Sequence, residues 1–336
     1  MKKAHALEAF GGRFMNLGIS LYHSTCTSVS NGHHSRTFFD PHFLGLRALT
    51  NPFFVFVVKA SYFSPGALLF FTIHVLAVSA FFVKPEPWML VLALGLFLIR
   101  KFGITGGYHR YFSHRSYKTS RWFQFVLAWL GGMSAQKGAL WWAAHHRHHH
   151  QHSDQPEDIH SVKQQGFYWA HVGWILAPDY ETFDAKRVKD LTKYPELVFL
   201  NTYHFIPPLA LALGCWWLGG LPAFLWCFCV STVVLYHTTF FINSLCHMLG
   251  KRRYETGESS KNSLILALVT LGEGWHNNHH YYQHCARQGF RWWEIDATYY
   301  ALKALGWLRI IYDIKEPPKH VVEATVDRMS PSTAIG

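Results

Sequence analysis

Apolar residues along the chain concentrate in four long runs, which come in two closely spaced pairs. Residues 65–83 and 88–108 form the first pair around the turn sequence KPEP, and residues 198–217 and 221–242 form the second around LGGLP. A helix needs about 20 apolar residues to cross a bilayer, so the runs are suited to one passage each. The pattern predicts four transmembrane helices in two hairpins.

The positions of the basic residues orient these hairpins. The two short loops contain one basic residue, Lys84, whereas nearly all other Lys and Arg residues lie in the long segments. By the positive-inside rule, both loops face away from the cytoplasm and both termini lie in it. The alternative, buried helices of a large soluble core, fits the run lengths and the charge asymmetry less well.

Polar and helix-breaking residues interrupt some of the apolar runs. Arg100 and Lys101 fall inside the second run, so they must be shielded by protein or reach the interface. Pro207 and Pro208 are expected to kink the third helix. The further apolar stretch 122–142 is broken by GGMSAQKG and is expected to lie at the interface or to re-enter the membrane, because a full crossing would separate the histidines on its two sides.

Composition agrees with a membrane protein. Of the 336 residues, 50% are hydrophobic and only 15% are charged, yet the net charge is +11, which suits a polar side that faces an anionic leaflet. Lys and Arg are scattered and form no basic stripe, which argues against a nucleic-acid partner. The six cysteines form no CxxC pair, so they are expected to be reduced and mostly buried thiols.

Histidines gather in three groups, HRYFSH at 109–114, HHRHHH at 145–150 and HNNHH at 276–280. With two hairpins, all three groups fall on the same membrane face and can converge. On a helix, the HxxHH spacing directs three imidazoles to one side. His247 follows the fourth run in NSLCH, four residues after Asn243, and this relation places the amide of Asn243 on the same helix face.

At least eight histidines on one face exceed what one tetrahedral zinc ion can use, so the sequence predicts two metal ions. Imidazole suits Zn, Fe, Cu and Ni, and ligand type alone does not identify the metal. In the second group, spacing permits two ligand registers, His145/His148/His149 or His146/His149/His150. A solvated histidine-rich surface is the alternative for the groups, and the isolated His5, His74 and His204 are expected to be ordinary surface or packing residues.

Three histidine boxes in this order around two hairpins, together with GFYWAHVGW and NSLCH, resemble the membrane fatty acyl desaturases, and within them the acyl-CoA Δ9 (stearoyl-CoA type) desaturases. The resemblance covers roughly residues 50 to 310. It implies an all-α integral membrane protein with four transmembrane helices in two hairpins under a cytoplasmic helical cap that holds a di-iron centre. Such a centre uses O2 as co-substrate and two external electrons to remove hydrogen from an unactivated CH2 group.

The resemblance also implies the site residues. The metal ligands would be His109, His114, His146, His149, His150, His247, His276, His279 and His280, with Asn243 reaching an iron through water. Because the family's second box reads HRxHH, Arg147 selects the His146/His149/His150 register. Gln136, Trp142 and Thr239 match positions that line the acyl tunnel, or they simply pack at the interface. Asp154, Glu157 and Asp158 could accept hydrogen bonds from ligating rings or be solvated. No separate general base is expected.

The chain then divides into six parts. Residues 1–63 form an N-terminal cytoplasmic or interfacial segment, 64–107 the first hairpin, and 108–196 a cytoplasmic cap with boxes one and two. Residues 197–243 form the second hairpin, 244–312 the cap with box three, and 313–336 a C-terminal tail. We expect a multi-pass protein with its site on the cytoplasmic face of a bacterial cytoplasmic membrane, or otherwise of the endoplasmic reticulum.

The expected reaction is an oxidoreductase reaction that introduces a cis double bond at C9–C10 of a saturated long-chain acyl substrate, with acyl-CoA preferred. Ala144 and His145 replace the Arg-Asp pair that contacts CoA in the animal enzymes, so a carrier-protein thioester or an acyl lipid stays open. A separate electron donor of the cytochrome b5 or ferredoxin type could dock at Arg252, Arg253 and Lys261. A fatty acyl hydroxylase is the alternative on the same scaffold, followed by a membrane zinc hydrolase or a metal transporter.

Overall fold

The computed structural model of the chain describes residues 62–324, which form a predominantly helical molecule. The α-helices, numbered in chain order, are α1 Pro65–Ser79, α2 Pro87–Phe102, α3 Arg121–Gly132, α4 Ala139–His152, α5 Val162–His171, α6 Lys189–Thr192, α7 Pro195–Thr202, α8 Ile206–Ala223, α9 Ser231–Asn243, α10 Leu245–Met248, α11 Leu264–Val269, α12 His276–Tyr281, α13 Ala297–Trp307 and α14 Lys319–Glu323. Most of the predicted N-terminal segment, including His5 and Cys26, lies outside the described residues.

Shorter elements connect these helices. Single 3-10 turns occur at Ala80–Phe82, Gly173–Leu176, Pro178–Tyr180 and Ala185–Val188, and π-helical stretches occur at Gly103–Ser113 and Phe224–Val230. Two short strands, β1 Lys118–Thr119 and β2 Ile311–Tyr312, pair antiparallel with Lys118 opposite Tyr312. Serine hydroxyls cap several helices, as where the amide N–H of Phe123 donates to Ser120 Oγ at the start of α3.

Within residues 62–324, three helical stretches are long and apolar enough to cross a membrane, namely Pro65–Phe82, Pro87–Ser113 and Ile206–Met248. The first two coincide with the runs of the first predicted hairpin. The third has 43 residues, which at 1.5 Å per residue is about 65 Å, roughly twice the hydrocarbon core of a bilayer. Gly219 and Gly220 leave helical geometry about a third of the way along it, where LGGLP was predicted to turn, and Gly220 has a φ of 60° that favours glycine.

The prediction that Pro207 and Pro208 kink a continuous third helix is wrong. Helix α7 ends at Thr202, and α8 begins at Ile206 with the two prolines in its first turn. The first N–H groups of a helix have no partner within the helix, so proline removes nothing there and its fixed φ suits the start. The prolines therefore begin a helix and do not bend one.

Arg100 and Lys101 are both fully buried at the end of α2, which is the shielding by protein that the sequence allowed. The guanidinium of Arg100 donates to Ser231 Oγ at 2.6 Å and to Thr232 Oγ1 at 2.8 Å. The ammonium of Lys101 donates to Thr239 Oγ1 at 3.1 Å. The two cations thus connect α2 to α9 through hydroxyl groups, which spares the charges contact with lipid.

The largest core cluster packs the π-helical stretch Gly103–Ser113 against α3 and α4. The backbones approach closely at Gly103, where a Cβ atom would lie 2.5 Å from the backbone nitrogen of Gly131. Between α3 and α4 the chain makes a bend that includes Ala135 and Lys137 with positive φ. The apolar stretch 122–142 is therefore two helices and a bend. The cysteines among the described residues are buried and unpaired, as predicted.

Candidate metal centre

The first histidine box lies on the π-helical stretch Gly103–Ser113 that continues α2. In π-helix, hydrogen bonds join residues five apart, and the amide N–H of His114 donates to the carbonyl of His109 at 3.2 Å. In α-helix, residues five apart would point about 140° away from each other. The wider π turn brings the two imidazole centroids to 4.8 Å. The local winding therefore suits the HxxxxH spacing.

Helix α4 carries the second box, and its histidines point in two directions. His146 and His150 are one turn apart and face the same side, where His146 Nε2 lies 2.7 Å from His114 Nε2 and His150 Nε2 lies 2.9 Å from His279 Nε2. His149 is rotated about 100° from His150. It faces a different set of imidazoles, so this one helix contributes to two separate groups.

Three other histidines of α4 lie outside both groups. His145 Nδ1 lies 2.9 Å from the carbonyl oxygen of Trp141, and His148 Nε2 lies 2.7 Å from the carbonyl oxygen of Glu157. The ring of His152 packs against that of His148. Of the two registers that spacing permits, the structure thus brings together the side chains of the second.

The third box forms the short helix α12, with His247 from α10 beside it. His279 faces the first box, and its Nε2 lies 3.0 Å from His109 Nε2. His276 Nε2 lies 3.1 Å from both His247 Nε2 and His280 Nε2. The HxxHH spacing therefore serves both groups, because one of its three rings turns to the first group and two turn to the second.

The nine histidines named from the sequence form two groups. The five-histidine group comprises His109, His114, His146, His150 and His279, and the four-histidine group comprises His149, His247, His276 and His280. Within each group, one nitrogen from every ring lies within 4.8 Å of the others. Two nitrogens bound to one ion at about 2.1 Å are about 3.0–3.4 Å apart at ordinary ligand angles, close to the contacts seen here.

The protonation of the rings fits metal binding. His149 Nδ1 lies 2.9 Å from Asp158 Oδ1, while its buried Nε2 has no hydrogen-bond partner among the described residues. A neutral ring that donates through Nδ1 presents a lone pair at Nε2, and this lone pair points into the four-histidine group. Some Nε2 atoms contact two others, as that of His279 contacts those of His109 and His150. Since a neutral ring carries only one proton, such contacts cannot all be ordinary hydrogen bonds. Each group is therefore suited to one cation.

Burial, and next the neighbouring imidazoles, keeps these rings neutral. It lowers the pKa of each histidine in the following set well below the usual value: His114, His146, His150, His276, His279 and His280. The neutral imidazole is the form that binds a metal ion. These six rings are thus in the form that binds a cation without first releasing a proton.

Buried carboxylates stand behind the rings. Glu273 Oε2 lies 2.5 Å from His109 Nδ1, and Glu258 lies 3.6 Å from His247 Nδ1 and 3.7 Å from His280 Nδ1. Burial raises the pKa of Glu273, but the opposing charges and hydrogen bonds of His109 and Arg110 bring it down to about 2. Carboxylates in this position orient ligating imidazoles and increase their basicity.

Of the acidic residues named after box two, Asp158 is the one that meets a ring of the two groups, through His149. Asp154 accepts hydrogen bonds from the hydroxyl of Ser161 at 2.6 Å and the amide N–H of Ser259 at 2.7 Å. Glu157 contacts His148 through its backbone carbonyl, and its side chain is exposed. Asp154 thus connects the segment that follows box two to the segment that follows α10.

Two arginines hold the loops around the site. The buried Arg110 donates to the carbonyl of Ala286 at 2.7 Å and pairs with Glu273 and Asp296, both at 3.0 Å. Arg147, inside box two, forms a bidentate pair with Asp190. It also donates to the carbonyls of Phe112 and Ser113 at 2.6 and 3.0 Å. Arg147 therefore fixes the end of box one.

The sequence analysis missed Glu273, Glu258, Asp296 and the asparagines of box three. Asn277 and Asn278 are fully buried, and Asn277 accepts from the amide N–H of Arg253 at 2.7 Å. Glu273 could have been found from its position in the sequence, because it is a lone carboxylate three residues before His276 in an otherwise apolar segment. His160, which was also missed, stacks on His149 with ring centroids 4.2 Å apart.

The residues named for an electron-donor surface differ in exposure. Arg253 is half-buried and bonds to Asn278 at 3.2 Å and to Glu294. Arg252 and Lys261 are accessible, although Lys261 Nζ donates to the carbonyl of Met248 at 2.6 Å. Arg253 thus holds Asn278 of box three and Glu294 together, and is less free to contact a partner protein.

The three residues named for the acyl tunnel lie close to the π-helical stretch and α9. Trp142 stacks on the His146 ring with centroids 4.9 Å apart, so it borders the five-histidine group. Gln136 Nε2 donates to Thr239 Oγ1 at 3.3 Å, and this oxygen also accepts from the buried Lys101. Asn243 is the last residue of α9, and the chain leaves that helix at Ser244 before α10 brings in His247.

Comparison with known proteins identifies the chain's relatives. The model of the family described as "Fatty acid desaturase" matches residues 84–308. An sn-1 stearoyl-lipid 9-desaturase from Synechocystis sp. is 38% identical over 75% of this chain and 80% of its own length. A palmitoyl-monogalactosyldiacylglycerol delta-7 desaturase from Arabidopsis thaliana is 36% identical over 71% of this chain and 64% of its own length. An icosanoyl-CoA 5-desaturase from Limnanthes douglasii is 36% identical over 75% of this chain and 72% of its own length.

Proposed function

The chain belongs to the fatty acid desaturase family, and on this premise we propose that it introduces a cis double bond at C9–C10 of a saturated long-chain acyl group. The observation that carries the proposal is the convergence of nine histidines into one group of five and one group of four. Two adjacent groups of neutral imidazoles, each suited to one cation, are what a dinuclear iron centre needs.

Two iron ions bound by these groups would supply, with O2 and two electrons, an oxidant strong enough to remove hydrogen from an unactivated CH2 group. The reaction removes two hydrogen atoms from adjacent carbons and consumes O2, two electrons and two protons, forming two molecules of water. The chain's own residues hold and orient the site. Glu273 and Asp158 fix the rings of His109 and His149, and six of the nine histidines are buried.

Trp142, Gln136 and Thr239 are proposed to contact the acyl chain where it passes the site. Trp142 supports this role because its ring stacks on His146, so an acyl chain beside the five-histidine group would touch it. Gln136 and Thr239 are joined by a hydrogen bond. This bond gives one N–H of Gln136 a partner, which lowers the cost of placing the pair beside an apolar chain.

We favour an acyl group esterified in a membrane lipid as the substrate. The relatives described above include a stearoyl-lipid desaturase, and Ala144 and His145, which replace the CoA-contacting pair, are buried here. His145 is held by the carbonyl of Trp141 and stacks on its ring. Acyl-CoA, the substrate preferred from the sequence, becomes the second candidate, supported by the icosanoyl-CoA relative.

The proposed arrangement has four transmembrane helices in two hairpins, with the histidine groups on the cytoplasmic face. Gly219 and Gly220 support it, because they interrupt the 43-residue stretch at the predicted loop, and one continuous helix of that length would be about twice as long as the hydrocarbon core is thick. The rings of Trp216 and Phe224 on either side of the glycines are 6.0 Å apart, which supports a reversal of the chain there. Electrons would come from a separate protein, with Arg252 and Lys261 as accessible docking residues.

The test is product analysis with iron-loaded protein, O2 and a two-electron donor. Vesicles that contain distearoyl phosphatidylglycerol are compared with stearoyl-CoA added to vesicles of unsaturated lipid. We expect a C9–C10 cis double bond in the lipid-bound chains. The rate with stearoyl-CoA is expected to be at least about tenfold lower, which corresponds to about 1.4 kcal/mol of transition-state stabilisation. His149→Ala protein and anaerobic samples are the controls. A hydroxylated chain as the major product would contradict the proposal and identify a hydroxylase.

A further inference from the structure

Three histidines outside the two metal groups form a continuous hydrogen-bonded chain. His74 on α1 and His237 on α9 meet through their Nε2 atoms at 3.1 Å, and His237 Nδ1 lies 3.0 Å from His171 Nε2 on α5. His171 Nδ1 in turn lies 3.0 Å from the hydroxyl oxygen of Ser244. The sequence analysis treated His74 as an ordinary packing residue, but it is the end of this chain.

The direction of every hydrogen bond in the chain is fixed if the rings are neutral. His74 Nδ1 lies 2.7 Å from the carbonyl oxygen of Phe70, which can only accept, so His74 carries its proton on Nδ1. His237 must then donate from Nε2 to His74, and His171 must donate from Nε2 to His237. Nδ1 of His171 is left as an acceptor for the hydroxyl of Ser244, whose single proton it shares with the carbonyl oxygen of Phe240 at 2.9 Å.

Aromatic packing holds the His171 ring in this position. The ring is buried between Phe167, whose centroid is 5.2 Å away at an interplanar angle of 13°, and Phe241, at 5.4 Å and 30°. His237 stacks on it as well. Its Nδ1 atom is therefore aimed at Ser244 by a ring that cannot easily rotate.

Ser244 occupies the break between the helices α9 and α10. It is fully buried, and its φ of −108° and ψ of −72° interrupt the helix directly after Asn243. The carbonyl of Ser244 accepts a hydrogen bond from the amide N–H of His247 at 3.2 Å. The placement of the His247 ring in the four-histidine group thus depends on the conformation of this turn.

Neither a metal site nor a proton pathway explains the chain as well. A shared metal ion would require one nitrogen of each ring to converge, whereas His237 uses opposite nitrogens for its two neighbours. A proton pathway would require an open end, but the Nδ1–H of His74 is held by a carbonyl inside the apolar helix α1.

We propose that His171 is a positioning residue that holds the Ser244 turn, and through it His247, in the geometry for metal binding. His237 and His74 fix the tautomer and orientation of His171. The proposal rests on the proposed function in one respect, that the four-histidine group binds a metal ion. It adds a second set of histidines that shape the site without touching the metal.

Two substitutions of His171 separate its nitrogens. His171→Asn places an amide near the Nδ1 position and can keep the contact with Ser244, whereas His171→Gln reaches toward the Nε2 position and keeps the contact with His237. We expect His171→Asn to retain both irons per chain. His171→Gln and Ser244→Ala are each expected to lose the iron of the four-histidine group and to retain that of the five-histidine group. Metal analysis measures the iron content per chain. Mössbauer spectra of iron-57 protein show which group has lost its iron, since the two sites differ in ligand set.

The wild-type protein and His204→Gln serve as references, with elution as a single species as the measure of folding. Equal iron content in His171→Asn and His171→Gln overturns the proposal, since either full retention or common loss would mean that the Ser244 contact is not what matters. If His171→Gln does not fold, Ser244→Ala alone decides, and retention of both irons there is contrary to the proposal. Wild-type protein that binds fewer than two irons would instead count against the proposed function.

Discussion

Replacing His146 or His150 by Ala is expected to remove the iron of the five-histidine group, and replacing His149 by Ala is expected to remove the iron of the four-histidine group. Each substitution deletes one nitrogen from a set held in place by buried helices, and the remaining rings cannot move to close the gap. Because the reaction needs both ions, activity should fall by more than about 100-fold, beyond the loss seen for outer residues. Iron content per chain and double-bond formation measure the two effects.

The matched controls are His145→Ala and His148→Ala, on the same helix. Both side chains bond to backbone carbonyls and not to the groups, so both variants should keep two irons. His149 belongs to both registers that the spacing allows, so His146 and His148 are the informative pair. Loss of iron in His148→Ala together with retention in His146→Ala would show that the register is wrong.

Glu273→Ala is expected to destabilise the protein and to empty the five-histidine group. The carboxylate contacts both His109 and Arg110, and all three groups are buried. Its removal leaves Arg110 with Asp296 as its remaining carboxylate partner, and breaking such a buried pair costs about 3–5 kcal/mol. Thermal unfolding in detergent, followed by fluorescence, and iron content measure the outcome.

Glu273→Gln is the conservative variant, because it keeps the shape of the side chain and one of the two oxygen acceptors, so that either His109 or Arg110 keeps its partner. It should retain more stability than Glu273→Ala and bind iron more weakly than the wild type. Glu255→Ala is the control, since this carboxylate pairs with Arg252 at the surface. An unchanged unfolding temperature and iron content in Glu273→Ala would refute the role of this carboxylate.

The sequence was sufficient for the family, which the comparisons confirm, and for three apolar helical stretches among the described residues. The histidine boxes could be found because metal ligands must recur at helical spacings, and HxxHH does so on α12. The HxxxxH box could not be placed in the same way. Its two rings share one side because the backbone winds as a π-helix, and this winding depends on close packing against α3 that no local pattern reveals.

The division into groups of five and four histidines also lay beyond the sequence. His149 and His150 are neighbours in the chain but face different groups, and all partners of His149 and one partner of His150 lie more than 90 residues away. Glu273 was missed because its partners His109 and Arg110 are equally distant. The contacts of His74 could not be foreseen for the same reason, since a lone histidine in an apolar run gives no sign of His237 and His171.

The central claim is that two metal ions bind to the two histidine groups, and metal analysis of the protein tests it most directly. The protein is expressed with iron supplementation, because zinc can replace iron during overexpression, and is purified without chelators. We expect close to two irons per chain, with two Mössbauer environments that correspond to the five- and four-histidine groups. A stoichiometry fixed at one metal ion per chain would contradict the account.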